Sequence, residues 1–107
     1  MDNRTNITDT IDTAQKYKTL VNSILPFNIE QYWLYGSYAK GNYNEHSDID
    51  IAMIVNQIED DIYWDILPLL WKLTYQVDGR IEPVLIAKDK DYAGFIDEIQ
   101  KTGIFID

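Results

Sequence analysis

Residues 36–50, from Gly36 to Asp50, read GSYAKGNYNEHSDID, and this stretch with its two flanks decides how the chain is built. Before it, residues 31–35 (QYWLY) are rich in β-forming side chains and stop at Gly36, which predicts a short buried strand. Its end merges into residues 48–55 (DIDIAMIV). That segment alternates and then becomes continuously apolar, as a strand does when its far end is buried on both faces. Between the two, residues 37–40 have room for one helical turn before Gly41, and residues 42–47 form a loop.

Three features of this unit bear on chemistry. Gly36-Ser37 follows a strand and opens a turn. Glycine allows close backbone approach to a phosphate, a helix start offers free N–H groups to an anion, and the Ser37 hydroxyl can donate a further bond. Asp48 and Asp50 are two apart on a strand, so both side chains point to one face. Two such carboxylates repel unless a cation lies between them, and hard oxygen ligands of this kind suit magnesium. Glu82, on a later strand, joins them if that strand lies alongside in suitable register. Three carboxylates would then hold two metal ions. Each feature has an ordinary reading when taken alone: a turn, a pair of solvated acids, and a surface glutamate paired with Arg80 or Lys88.

Outward from this unit, residues 8–25 carry Ile11, Ala14, Leu20, Val21, Ile24 and Leu25 at near-helical spacing, with Thr8 or Asp9 as cap and Pro26 as terminator. Residues 60–77 predict a second helix through Ile62, Ile66, Leu69, Leu70, Leu73 and Val77. Pro68 inside it predicts a kink or two shorter helices. Asp78-Gly79 reads as a turn and residues 80–87 (RIEPVLIA) as a strand, where Pro83 calls for an edge position or a bulge. Residues 91–101 predict an amphipathic helix with Phe95, Ile96 and Ile99 inward. Gly103 closes it, and residues 104–106 add an edge strand. The order α-β-β-α-β-α indicates an α/β (α+β) fold, a small mixed β-sheet with helices packed against it.

The chain has 107 residues, the size of a single domain, 1–107. No apolar run approaches the roughly 20 residues that span a bilayer, and the start at Met1-Asp2-Asn3-Arg4-Thr5 is polar rather than like a signal peptide. There is no cysteine, which removes disulfides and thiolate metal sites and fits a reducing cytoplasm. Net charge is −9, with nine Lys and Arg against eighteen acids. A protein that grips nucleic acid needs a basic patch, so nucleic acid is not the expected partner. A nucleotide is compatible with the acidity, because magnesium neutralises both acids and phosphates. His46 reads as a solvated loop residue, since one histidine without cysteine makes a poor zinc set. The tryptophans Trp33, Trp64 and Trp71 read mostly as core or interface. Glu59, Asp60 and Asp61 read as a solvated helix start that the helix dipole favours.

Gly36-Ser37, ten intervening residues and Asp48-x-Asp50 together resemble the GSx10DxD signature of the DNA polymerase beta-like nucleotidyltransferases. Ala39, Gly41 and Ser47 fit the GSxAxGxxxxxSDxD form of its small prokaryotic members, the minimal nucleotidyltransferases. The resemblance covers most of the chain. It implies a polymerase beta-like palm that moves a nucleoside monophosphate, AMP from ATP, onto a hydroxyl. Gly36, Ser37, Lys40 and Ser47 would bind the nucleotide. Asp48, Asp50 and Glu82 would be the catalytic carboxylates and the ligands of two magnesium ions. Many relatives read GSRARG, and here the two arginine positions hold Tyr38 and Lys40. Lys40 can still reach a phosphate as a point charge, whereas Tyr38 supplies no charge.

Small members of that family accompany HEPN-domain toxins, all-α ribonucleases, and some adenylylate a toxin tyrosine. The resemblance therefore implies a HEPN partner in a hetero-oligomer and an antitoxin role. Three rival readings stand beside it: a binding module that masks its partner without catalysis, a transferase for a small acceptor such as an aminoglycoside, and a metal-binding domain without nucleotide function.

Overall fold

A computed structural model describes residues 6–107; the polar stretch 1–5 lies outside the described residues. The elements run α1 (Ile7–Ile24), β1 (Gln31–Tyr35), α2 (Ser37–Lys40), β2 (Ile49–Val55), α3 (Asp60–Thr74), β3 (Ile81–Ala87), a 3-10 turn Lys88–Lys90, α4 (Phe95–Thr102) and β4 (Ile104–Ile106). The four strands form one sheet in the order β3-β2-β1-β4. Strand β1 is antiparallel to both β2 and β4, while β2 and β3 are parallel and joined through α3. This is the expected mixed sheet. Pro83 sits on an edge strand, where the missing N–H removes no ladder bond on the open side.

Alternation sorts the sheet into two faces. Tyr32 and Leu34 of β1, Ile49, Ile51 and Met53 of β2, and Ile81 and Leu85 of β3 are all buried on one face. They pack with Ala14, Tyr17 and Val21 of α1 and Leu70 and Leu73 of α3 in one apolar cluster. The phenol of Tyr17 donates to the carbonyl of Leu70 at 2.7 Å and ties the two helices together inside that core. The opposite face carries Trp33 and Tyr35, Asp50, Ala52 and Ile54, and Glu82 and Val84. Here Ala52, Ile54 and Ile99 are buried, and α4 lies against β1. Towards one end of this second face Asp50 is half-buried and Glu82 exposed.

Several local expectations change. The α1 cap is Asn6, whose Oδ1 accepts from the Thr8 N–H at 2.7 Å, because the helix starts at Ile7 and so before either residue expected to cap it. Helix α3 is one helix across Pro68 rather than two. Pro68 and Trp64 are both exposed, so water can reach the carbonyl that the missing N–H leaves unbonded. It ends at Thr74 instead of Val77, because residues 75–77 tighten into i to i+3 bonds. Strands β2 and β3 begin one residue later than expected, leaving Asp48 and Arg80 just outside. Of the three residues expected to point inward on α4, Ile99 is buried, Ile96 half-buried and Phe95 exposed. None of the tryptophans is buried: α3 presents Trp64 and Trp71, with Tyr75, to solvent. No helix among the described residues is long and apolar enough to cross a membrane.

Candidate active site

Asp50 is the centre of a row across three strands. Its register partner on β1 is Tyr35 and its register partner on β3 is Glu82. Neighbouring strands lie about 4.8 Å apart, so the three side chains stand side by side on the second face. The two ion pairs that would have made Glu82 an ordinary surface acid do not form. Arg80 pairs with Asp78 at 2.8 Å and Lys88 with Glu30 at 2.8 Å. Glu82 is left facing Asp50.

That juxtaposition costs the ionised form of Asp50. Burial, then the charges of Glu82 and Asp48, then a hydrogen bond with Glu82 push its carboxyl up to about 6. The Tyr35 phenol is pushed up to about 12, by burial and then by Asp50 and Glu82. A bound cation relieves this repulsion. Among the described residues no three His, Cys, Asp or Glu side chains are gathered tightly enough to cage an ion by themselves. The expected three-carboxylate set is therefore present as a close pair, Asp50 and Glu82, with Asp48 exposed two residues earlier. The donor set fits magnesium, which commonly takes one or two carboxylates and completes its shell with phosphate and water. An ion bound there would neutralise negative charge, and Asp50, Glu82 and Asp48 are the residues that would hold it.

Gly36 closes the other side of the site. It has φ +72°, and a Cβ there would stand 2.2 Å from Oδ2 of Asp50. Backbone conformation and close approach both demand glycine. Ser37 starts α2 and Lys40 ends it, exposed; the Lys40 N–H donates to the Gly36 carbonyl at 3.1 Å. Ser47 has a local role: its hydroxyl accepts from the Asn44 N–H at 2.9 Å and its own N–H donates to the Asn44 carbonyl. It shapes the loop before Asp48. His46 is exposed, as expected of a solvated loop residue, 3.5 Å from Glu45.

Sequence reasoning missed the network that holds this loop. Tyr38 is buried, stacked on Tyr43 with centroids 4.4 Å apart. Its hydroxyl accepts from Nη1 of Arg80 at 3.2 Å and donates to the Asn44 carbonyl at 3.4 Å. Arg80 also reaches the Glu45 carbonyl and is gripped by both oxygens of Asp78. Tyr38 is therefore a core residue that anchors the signature loop, and the position where the resemblance led to the expectation of an arginine here packs inward. Tyr35 was missed as well. The signal for it was period-two alternation: Tyr35 and Asp50 are in register only if the intervening loop returns the chain antiparallel.

The site is an open face. A concavity of about 670 Å³ lies at the far end of the sheet, beside Glu30, Val55 and Asn56, away from the carboxylates.

With the fold and this geometry in place, comparison with known proteins is decisive. The family described as "Polymerase beta, Nucleotidyltransferase" matches residues 9–106. The chain belongs to the polymerase beta nucleotidyltransferase family. A Methanocaldococcus jannaschii protein named as a candidate protein adenylyltransferase is 27% identical over 95 residues, 88% of this chain and 95% of the relative. Among solved structures, a candidate nucleotidyltransferase from Sulfolobus solfataricus superposes with a TM-score of 0.67 at 22% identity, covering 92% of this chain and 80% of that one. A toxin-antitoxin complex with AMP-PNP matches at 0.61 and 20% identity, over 86% and 71% of the two chains. A complex of tri-AMPylated Shewanella oneidensis HEPN toxin with its MNT antitoxin matches at 0.58 and 18%, over 91% and 71%. These superpositions establish the polymerase beta-like fold, and the strand-turn-strand unit of residues 31–55 lies within the residues that match the family.

Proposed function

We propose that the protein transfers AMP from ATP, with two magnesium ions held by Asp48, Asp50 and Glu82, to a tyrosine hydroxyl of a HEPN-domain toxin, and so acts as an antitoxin. The observation that carries this reading is the Asp50–Glu82 pair beside the glycine turn at Gly36-Ser37. The triphosphate lies along Gly36, Ser37 and Lys40. The acceptor oxygen bonds to the α-phosphorus, the bridge to the β-phosphate breaks, pyrophosphate leaves, and the hydroxyl proton passes to solvent. The carboxylates contribute positioning and charge neutralisation.

A protein acceptor is supported by the relatives: one is named for protein adenylylation, and others were solved as toxin-antitoxin complexes. It is supported also by Trp64 and Trp71 on α3 and Tyr75 just past its end, exposed residues of the types that anchor protein interfaces. Cytoplasmic ATP would be the donor. The net charge of −9 disfavours nucleic acid as acceptor.

Label transfer tests the proposal. The protein is incubated with magnesium, α-labelled ATP and lysate of its native host, beside the Asp48→Asn/Asp50→Asn double variant. A single labelled protein band, seen with wild type alone and identified by mass as a HEPN protein, is expected. Capture of the same partner by both proteins without label in either would replace catalysis with masking.

A further inference from the structure

Phe95 is exposed, yet it sits on the row that carries the chemistry. Its ring packs edge-on with Tyr35, centroids 5.7 Å apart and planes at 86°. Tyr35 is in register with Asp50, and Asp50 with Glu82. The order across the face is thus Phe95, Tyr35, Asp50, Glu82. Phe95 keeps 38% of its surface exposed although it opens an amphipathic helix whose Ile99 is fully covered. Its backbone is held firmly. The Asp91 carboxylate accepts from the N–H of Phe95 at 2.9 Å and of Ile96 at 2.8 Å, and Gly94 turns the chain at φ +70°. A fixed aromatic residue exposed beside a catalytic row calls for an occupant.

We propose that Tyr35 and Phe95 form the wall against which the base of the bound nucleotide stacks. The inference rests on the reading that this site takes a nucleoside triphosphate. Position selects the base over the acceptor. Tyr35 immediately precedes the Gly36-Ser37 turn, so the wall stands on the triphosphate side of Asp50. Glu82 stands on the other side, on the edge strand, where the face is open to an incoming hydroxyl. Stacking recognises any base by its π-face, and more strongly the larger the ring system. The site is therefore selective for purines over pyrimidines through ring area, and Phe95 sets that selectivity.

The test is calorimetric titration of the full chain with Mg–ATP, Mg–CTP and magnesium tripolyphosphate, which has no base, in wild type, Phe95→Leu and Phe95→Trp. The leucine keeps apolar packing on Tyr35 and removes the ring; thermal melting confirms that each variant folds. Phe95→Leu is expected to weaken Mg–ATP by roughly tenfold, Mg–CTP less, and tripolyphosphate not at all, with Phe95→Trp restoring Mg–ATP. Equal Mg–ATP affinity in wild type and Phe95→Leu, with tripolyphosphate still bound, would overturn the stacking wall and leave the nucleotidyltransferase reading intact. Parallel loss of ATP and tripolyphosphate would overturn it too, by showing that Phe95 acts on the phosphate site. Wild type that binds neither would sink both readings.

Discussion

A methyl group on Gly36 would stand 2.2 Å from Oδ2 of Asp50 and 3.1 Å from its carboxyl carbon. The turn proposed to receive phosphate and the carboxylate proposed to receive metal are thus packed against each other without space for one more atom. Gly36→Ala should strain the backbone at φ +72° and displace Asp50 together. The expected cost is roughly 1–3 kcal/mol of stability and about a hundredfold in transfer. A double-mutant cycle separates the two effects. In an Asp50→Ala background the collision is gone, so Gly36→Ala should cost only the backbone part, about 1 kcal/mol, by denaturant unfolding. Additive costs in the cycle would show that the two residues do not touch.

Asp50 itself should be a liability to the metal-free fold. Its carboxyl is raised from 3.8 to about 6, so the folded state holds a proton that the unfolded state has released. Its effect on stability is therefore absent below about pH 4, grows as pH rises toward about 6, and is a constant destabilisation above that. Asp50→Asn removes the charge. In chelator, the variant should melt a few degrees above wild type at pH 7.5, on the order of 1 kcal/mol after solvent screening, and match it near pH 4. Added magnesium should raise the melting temperature of wild type and leave Asp50→Asn nearly unmoved. Label transfer by the variant should be lost. A wild type more stable than Asp50→Asn at pH 7.5 without metal would contradict the crowding of charge at this row.

What could be read in advance followed from how local each determinant is. Gly36 and Asp50 lie within one strand-turn-strand unit, so spacing alone placed Asp50 next to the turn, whereas Asp48 stands exposed just before β2. Glu82 is 32 residues beyond Asp50, and only the parallel register of β2 and β3 puts it opposite; sequence supplied the condition but not the register. The Asn6 cap was missed because neighbouring Thr8 and Asp9 offered equally good start signals, and of the two alternatives at Pro68 the single span of α3 excludes the pair of shorter helices. Tyr38 could be recognised as an uncharged departure from the usual motif. That it packs inward on Tyr43 and meets Arg80 depends on contacts 5 and 42 residues away, which no periodicity carries. Phe95 obeyed the amphipathic pattern and broke it in space, because α4 covers only part of its sheet face.

Arg80 should act on catalysis without touching the reacting groups. It joins Asp78, the Tyr38 hydroxyl and the Glu45 carbonyl, and so fastens the loop that delivers Asp48. Arg80 holds the Asp78 carboxyl below its usual range, mainly by hydrogen bonding. The stability from this pair is present above the unfolded carboxylate pKa and is lost as pH falls through the lowered value, opposite in sign to Asp50. Arg80→Ala should cost about 1–2 kcal/mol near neutrality and less in acid. Its activity should drop about tenfold with the magnesium requirement raised, since Asp48 is no longer held. Arg80→Lys should rescue little, because lysine cannot make the forked contact with Asp78. Activity equal to wild type in Arg80→Ala would show that the loop holds its shape without the clamp.

Glu82 makes the sharpest separation between a metal ligand and a bystander. Its charge is one of the causes that raise the Asp50 carboxyl, after burial. Glu82→Gln should therefore lower the Asp50 pKa below about 6, read by carbon-detected NMR of the side-chain carboxyl in chelator. On electrostatics alone a lower pKa gives more ionised Asp50 at neutral pH, and a bystander Glu82 would leave magnesium affinity unchanged or improved. As a ligand, Glu82 predicts the reverse: weaker magnesium binding and transfer down by about a hundredfold, while Glu82→Asp keeps the charge and much of the activity. The two measurements together decide the point, because the bystander role and the ligand role shift the Asp50 pKa in the same direction and the magnesium affinity in opposite ones.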